Sequence, residues 1–184
     1  FSINSFSQKL CGTDLMHQDL LKKNPGIAEK IKGLEAFTQK YVKENKGSIS
    51  TTSTVKIIPV VFHIIHNYGP ENISKLQVLD AVRIINEDFQ KLNADTNQVI
   101  NPFKSIVANC QIEFRLAQLD PNSNCTDGIT RTVSTLTFNA DNNVKQLIDW
   151  DDEQYLNIWV VDHISFGAGG YSYYPGVGPG LEGI

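Results

Sequence analysis

No stretch of these 184 residues approaches the run of about 20 apolar side chains that a bilayer-spanning helix needs. A membrane span is not expected. Positive charge is not in excess either: 16 Lys and Arg against 20 Asp and Glu leave a formal net charge of -4, which gives nucleic acid or an anionic membrane no electrostatic reason to bind. Cysteine is scarce and odd in number, with three in the chain, so one internal disulfide at most can form and one thiol is left over. The sequence has no Gly-rich phosphate loop, no Gly-x-Ser-x-Gly elbow and no His-Glu-x-x-His zinc helix. Its four histidines, His17, His63, His66 and His163, are followed by Gln, Ile, Asn and Ile. Internal repeats are missing too. What is present, 41% hydrophobic and 20% charged residues, suits one globular core that buries about two-thirds of its unfolded surface.

The most specific stretch runs from Cys110 to Thr132. Ile112, Phe114, Leu116 and Gln118 alternate with Glu113, Arg115, Ala117 and Leu119, the period of a strand with one mostly apolar face. Asp120-Pro121-Asn122-Ser123-Asn124 is turn chemistry, so a chain reversal and a returning strand are expected. Cys110 opens this unit and Cys125 sits just past its turn. Parity and the reversing turn predict a Cys110–Cys125 disulfide in a secreted chain, leaving Cys11 unpaired.

The chain opens on Phe1 without Met, and Ser5-Phe6-Ser7 has the small-x-small look of a signal-peptidase site. Residues 1–7 read as a clipped leader or as a plain terminal tail. Asn24-Pro25 starts a helix whose apolar positions, Ile27, Ile31, Leu34, Phe37 and Tyr41, fall at spacings of three and four up to Asn45. Lys46 to Thr54 holds one apolar side chain in nine and reads as an exposed, nickable linker, which sets a boundary near residue 50. Lys56 to Ile65 is a nearly continuous apolar run, as expected for a strand covered on both faces. Ser74 with Gln77 makes a capping box for a helix of about 19 residues with Val78, Val82, Ile85, Phe89 and Leu92 on one face. A weaker helix is expected over Asn142–Trp150, a buried strand over Tyr155–Ile164 and a short aromatic strand over Tyr171–Tyr174; Leu181 to Ile184 looks like the entry to another strand. The fold class expected is α/β (α+β), a mixed twisted sheet backed by the long helix.

Candidate chemistry is thin. His63 and His66, three apart on a strand, point to opposite faces, which favours packed histidines over a shared metal. Asp120, Asn122 and Asn124 begin like a calcium loop, but Cys125 stands where Gly is needed and Arg131 where Glu is needed. Asp149, Asp151, Asp152 and Glu153 read as a solvated acidic loop. From the residues alone, the site is not visible.

Five segments in order carry a resemblance: Ile58 to Asn67 (IPVVFHIIHN), Ile85 to Asp95 (INEDFQKLNAD), the Cys110–Thr132 unit, Tyr155 to Val160 (YLNIWV) and Gly170 to Gly176 (GYSYYPG). Together, over Lys56 to Ile184, they resemble the amino-terminal half of pappalysin-family metzincin metallopeptidases, the ulilysin-like members in particular. Cys11-Gly12-Thr13 resembles the cysteine-switch propeptide of ulilysin-like zymogens. The resemblance implies a prosegment over residues 1–50 and the N-terminal part of a catalytic domain over 51–184, cut before the zinc helix. It implies a secreted, monomeric zinc endopeptidase acting on protein or peptide, with zinc as cofactor and calcium as a candidate second ion. The zinc ligands and catalytic Glu of that family are not in this sequence, so the fragment by itself should be inactive. The resemblance makes Cys11 the latent-state zinc ligand. It makes Gly170, Tyr171, Ser172, Tyr173 and Tyr174 an edge strand that pairs with an extended substrate. A non-catalytic extracellular peptide-binding module and a degenerate protease paralogue are the alternatives.

Overall fold

The structure, a computed structural model, describes residues 11–45 and 54–184. The expected leader at residues 1–7 and nearly all of the expected linker lie outside the described residues. Architecture is organised by β1 (Lys56–His66), whose apolar run is buried from Val60 onward. Its backbone hydrogen-bonding groups alternate between two edges, and the sequence uses both. Even-numbered residues face one edge: Lys56 N–H donates to Gln111, Val60 C=O accepts from Ala117, Phe62 N–H donates to Gly128 and His66 C=O accepts from Ser134. β2 (Ile112–Leu116) and β3 (Ile129–Val133) therefore lie end to end along that edge, both parallel to β1. β4 (Leu156–Val160) runs parallel along the other edge, beginning opposite Val60. Pro59 points its missing donor to the β4 side just before that pairing starts, so no ladder bond is lost.

The mostly parallel sheet corrects the expected hairpin. Leu119 and Cys125 do form an antiparallel bridge around the Asp120 turn, where the Asp120 carboxylate accepts the N–H groups of Asn122 and Asn124. That reversal is local. The chain turns back a second time and re-enters the edge at Gly128, whose φ of +71° and approach to Ala117, 2.8 Å from nitrogen to an added Cβ, exclude other residues. The expected Cys110–Cys125 disulfide is absent, and both thiols are free and exposed. Cys110 is held by Phe89 C=O below the start of β2, whereas Cys125 sits beyond its end. A five-residue strand separates them by roughly 13 Å, about twice what a disulfide spans.

Two helices, α1 (Thr13–Lys23) and α2 (Pro25–Glu44), precede β1, and one face of the sheet carries Val60, Phe62, Ile64 and Phe114 under the crossover helix α3 (Lys75–Phe89). The capping box at Ser74 and Gln77 forms, and α3 ends at Phe89, short of the expected Leu92. Asn86 reaches from α3 to both backbone groups of Phe114, satisfying the outer edge of β2. The opposite face packs Val61, Ile65, Trp150 and Trp159 against residues 134–150. The helix expected over Asn142–Trp150 is replaced by turns bonded three residues apart, Val144 to Asp141 through Leu147 to Val144. β4 covers only half of the expected Tyr155–Ile164 strand; Ile164 instead bridges Ala140. Ile184 pairs with Asn157 and Trp159 on the outer edge of β4, the strand entry expected there.

A buried amide ties these layers together. Asn157 Nδ2 donates to Trp150 C=O and its Oδ1 accepts from Trp150 N–H, fixing the amide's orientation. Oδ1 also lies 2.8 Å from His63 Nε2, so that nitrogen carries the proton and Nδ1 accepts from the Thr130 hydroxyl at 2.7 Å. Burial pushes the His63 imidazole down to about 4. The unfolded chain binds this proton near its ordinary value, so between about pH 6.5 and 4 the unfolded state takes up a proton that the folded state refuses. Stability is expected to fall across that window by about 3 kcal/mol, read as a declining urea midpoint, with no His63 proton uptake by NMR above pH 5.

Candidate functional site

The Gly170–Tyr174 segment forms no ladder with the sheet, in contrast to the aromatic strand expected there. A cavity of about 240 Å³ lies between it and β4, lined in part by Val144, Lys145, Trp159, Gly170 and Tyr171. Residues 11–13 lie along it instead. Gly12 N–H donates to Gly170 C=O at 2.8 Å, Ser172 N–H donates to Thr13 Oγ1 at 3.1 Å, and Cys11 bridges Gly170 in parallel. Gly170 C=O and Ser172 N–H sit two residues apart and face one edge, as in a strand awaiting a partner.

Apolar contacts extend this seam. Leu20 from α1 is buried against Tyr173 and Val177, with Met16, Ile27, Ile31, Tyr171 and Leu181 around them. His17 meets the Tyr174 ring edge-on at 4.7 Å. Only the first turns of α2 take part; Phe37 and Tyr41 stack on each other and remain 65% and 59% exposed. Cys11, the expected latent-state zinc ligand, is exposed beside the Gly170 edge. Its thiol donates to Thr13 Oγ1 at 3.3 Å, and hydrogen bonding with the Thr13 side chain and backbone holds it below its ordinary value.

On the inner side, Asn142 and Lys145 meet the two inward tyrosines. Asn142 Nδ2 donates to the Tyr173 hydroxyl at 2.7 Å, and the Tyr171 hydroxyl donates to Asn142 Oδ1 at 3.1 Å. Lys145 is buried, donates to Leu181 C=O at 2.6 Å, and sits over the rings of Trp159, Tyr173 and Tyr171 at 4.8, 5.2 and 5.3 Å. Burial pushes the ammonium down to about 8 and raises both tyrosine hydroxyls, so the phenols stay protonated and able to bond. Sequence reasoning missed both residues: Asn142 reads as a helix start, and nothing local marks a lysine that will be buried under aromatic rings.

The donors present do not fit a complete zinc site. Among the described residues no three His, Cys, Asp or Glu side chains converge. His63 has both nitrogens bonded, His66 Nδ1 accepts from Tyr68 N–H, and exposed His163 pairs with Asp162. Asp120 spends its carboxylate on its own turn, and no calcium cluster gathers there among the described residues.

No protein-family profile and no curated protein matches the chain. Solved structures do. The chain is 39% identical to mature mirolysin of Tannerella forsythia in complex with a cleaved peptide, at a TM-score of 0.55, over 58% of this chain and 42% of that one. It is 42% identical to mirolysin in complex with a small compound, at a TM-score of 0.54 and the same coverage. Against a promirolysin mutant of Tannerella forsythia the identity is 28% and the TM-score 0.70, over 95% of this chain and 58% of that one. The chain thus spans about half the length of the structures that it matches.

Proposed function

We propose, from the premise that this chain is a relative of mirolysin and promirolysin in the pappalysin-like group of metallopeptidases, that it comprises the prosegment and the N-terminal part of the catalytic domain of a secreted zinc endopeptidase zymogen. One observation carries this reading: the first described residues, Cys11 to Thr13, occupy the backbone groups of the Gly170–Ser172 edge that an extended substrate would otherwise use. The comparisons support it further, since coverage of the chain rises from 58% against the mature enzyme to 95% against the proenzyme. The prosegment takes in residues up to about 50, and the domain begins at about residue 51, ahead of β1. In the latent state Cys11 is the prosegment's zinc-facing thiol, and the remaining ligands belong to the whole protein.

The substrate is an extended peptide, taken by the Gly170–Tyr174 rim once the prosegment leaves. The test is made on the whole gene product. After prosegment release it is expected to cleave a denatured protein, to lose that activity in a zinc chelator and to regain it with equimolar zinc. Activity untouched by the chelator would overturn the zinc assignment. Peptide binding without cleavage would favour a non-catalytic binding module.

A further inference from the structure

We propose that the Thr13 hydroxyl stands in for a peptide carbonyl at the rim, so that residues 11–13 occupy the Gly170–Ser172 edge without offering it an extended chain to cut. The inference rests on the reading of that edge as the place where a substrate docks. It follows from where the hydrogen bonds go. A peptide that continued extended along the rim would donate an N–H to Gly170 C=O and return a backbone C=O to Ser172 N–H, because those two groups face one edge. Gly12 does only the first of these, donating to Gly170 C=O at 2.8 Å. Its φ of -88° and ψ of -3° are far from the ψ of about +115 to +135° that an extended residue adopts. Its C=O accepts from Met16 N–H at 3.0 Å, a bond that opens α1, so the chain leaves the rim as a helix from Thr13 onward. Ser172 N–H donates to Thr13 Oγ1 instead, at 3.1 Å. Without that oxygen the docked segment would leave the Ser172 donor unmet. The same oxygen accepts from the Cys11 thiol at 3.3 Å, which its two lone pairs allow, so one hydroxyl holds both the thiol and the rim. A helical turn does not fit an edge that pairs with extended backbone, and the segment therefore covers the edge and is spared by it.

Thr13→Val keeps the shape of the side chain and removes the oxygen; Thr13→Ser returns it. In the 184-residue chain, amide hydrogen exchange resolved by NMR is expected to quicken at Ser172 at least tenfold in Thr13→Val and to return to the wild-type rate in Thr13→Ser, with Val61 to Ile65 in β1 unchanged. Unchanged exchange at Ser172 overturns the proposal. So does acceleration that spreads equally through β1, which would reduce the hydroxyl to general packing. A second arm maps the peptides that the whole precursor releases as it activates. Wild type and Thr13→Ser are expected to keep residues 11–20 in one piece when the linker is cut, whereas Thr13→Val, freed to pair with the rim in extended form, is cut within them at least fivefold more often. Should Thr13→Val stay uncut there while its Ser172 exchange quickens, the protective role is overturned and the hydroxyl is a clasp only. A wild-type gene product that cuts neither its linker nor a denatured protein in the presence of zinc sinks the zymogen reading itself, before any substitution is made, and takes the protective role with it.

Discussion

Replacing Asn157 by alanine is expected to destabilise the domain by about 3–5 kcal/mol, enough to shift the folding equilibrium by more than a hundredfold. The amide is 1% exposed and serves three partners: Trp150 C=O, Trp150 N–H and His63 Nε2–H. Alanine leaves all three without their partner in the buried space between β1, β4 and the Trp150 loop. An orphaned buried donor or acceptor costs about 1–3 kcal/mol, and the cavity left by the side chain adds to that. Asn157→Asp separates the terms. A carboxylate accepts from Trp150 N–H and from His63 Nε2–H, and it draws the imidazole toward its charged form, so the acid-labile window set by His63 should narrow or disappear. Urea unfolding at pH 7.5 and 4.5 reads both effects. A loss below about 1 kcal/mol in Asn157→Ala would mean that the network is solvated and that the Trp150 loop is held by apolar contact alone.

Some of this architecture was legible in the residues, and the reasons are specific. The apolar run of β1 announced a strand covered on both faces because both faces are in fact packed, one by α3 and one by the Trp150–Trp159 side. Ser74 and Gln77 marked the start of α3 because a capping box is a local, reciprocal bond. Strand direction was not legible. The Asp120 turn signals a reversal over five residues, and nothing in its chemistry says that the chain reverses again before Gly128. The disulfide expectation failed with it, since it assumed that Cys110 and Cys125 lay on facing strands. α1 escaped notice because its cap, Gly12, makes no side-chain bond and only Leu20 among its residues is buried. The Asn142–Trp150 turns looked helical for a related reason: Asn142 and Lys145 are drawn inward by tyrosines about 30 residues away, a pull that periodicity cannot register. The rim itself was readable only through family resemblance, and its occupation by Cys11 to Thr13 emerged from the structure.

On the proposed zymogen reading, Gly12→Val in the whole precursor is expected to shorten the lag before activation about 5- to 150-fold, a larger effect than Cys11→Ala. Gly12 has φ of -88°, which valine tolerates, so its requirement is steric. A Cβ at this position would overlap the Phe166 ring and come within 3.0 Å of Ala168 Cβ, on the wall beside the rim. The part-exposed Phe166 ring can swing outward, but the contact with Ala168 Cβ remains, and relieving it shifts the segment and strains the Gly12 N–H bond to Gly170. Overpacking of this kind costs about 1–3 kcal/mol, which is the stated range in the docked-to-released ratio. Cys11→Ala leaves that bond and the Leu20 anchor in place and removes only the thiol, so it isolates any contribution of the sulfur. It should shorten the lag without changing the activity of the mature enzyme. Activation time courses at equal precursor and zinc concentrations, with the rate of cleavage between Lys46 and Thr54 followed in parallel, order the two variants. Should Gly12→Val retain the wild-type lag while Cys11→Ala loses it, latency would rest on the thiol and the rim contact would be incidental. A wild-type lag in both would move the restraint to the Leu20 and Ile31 seam, where α1 and α2 meet Tyr173 and Leu181.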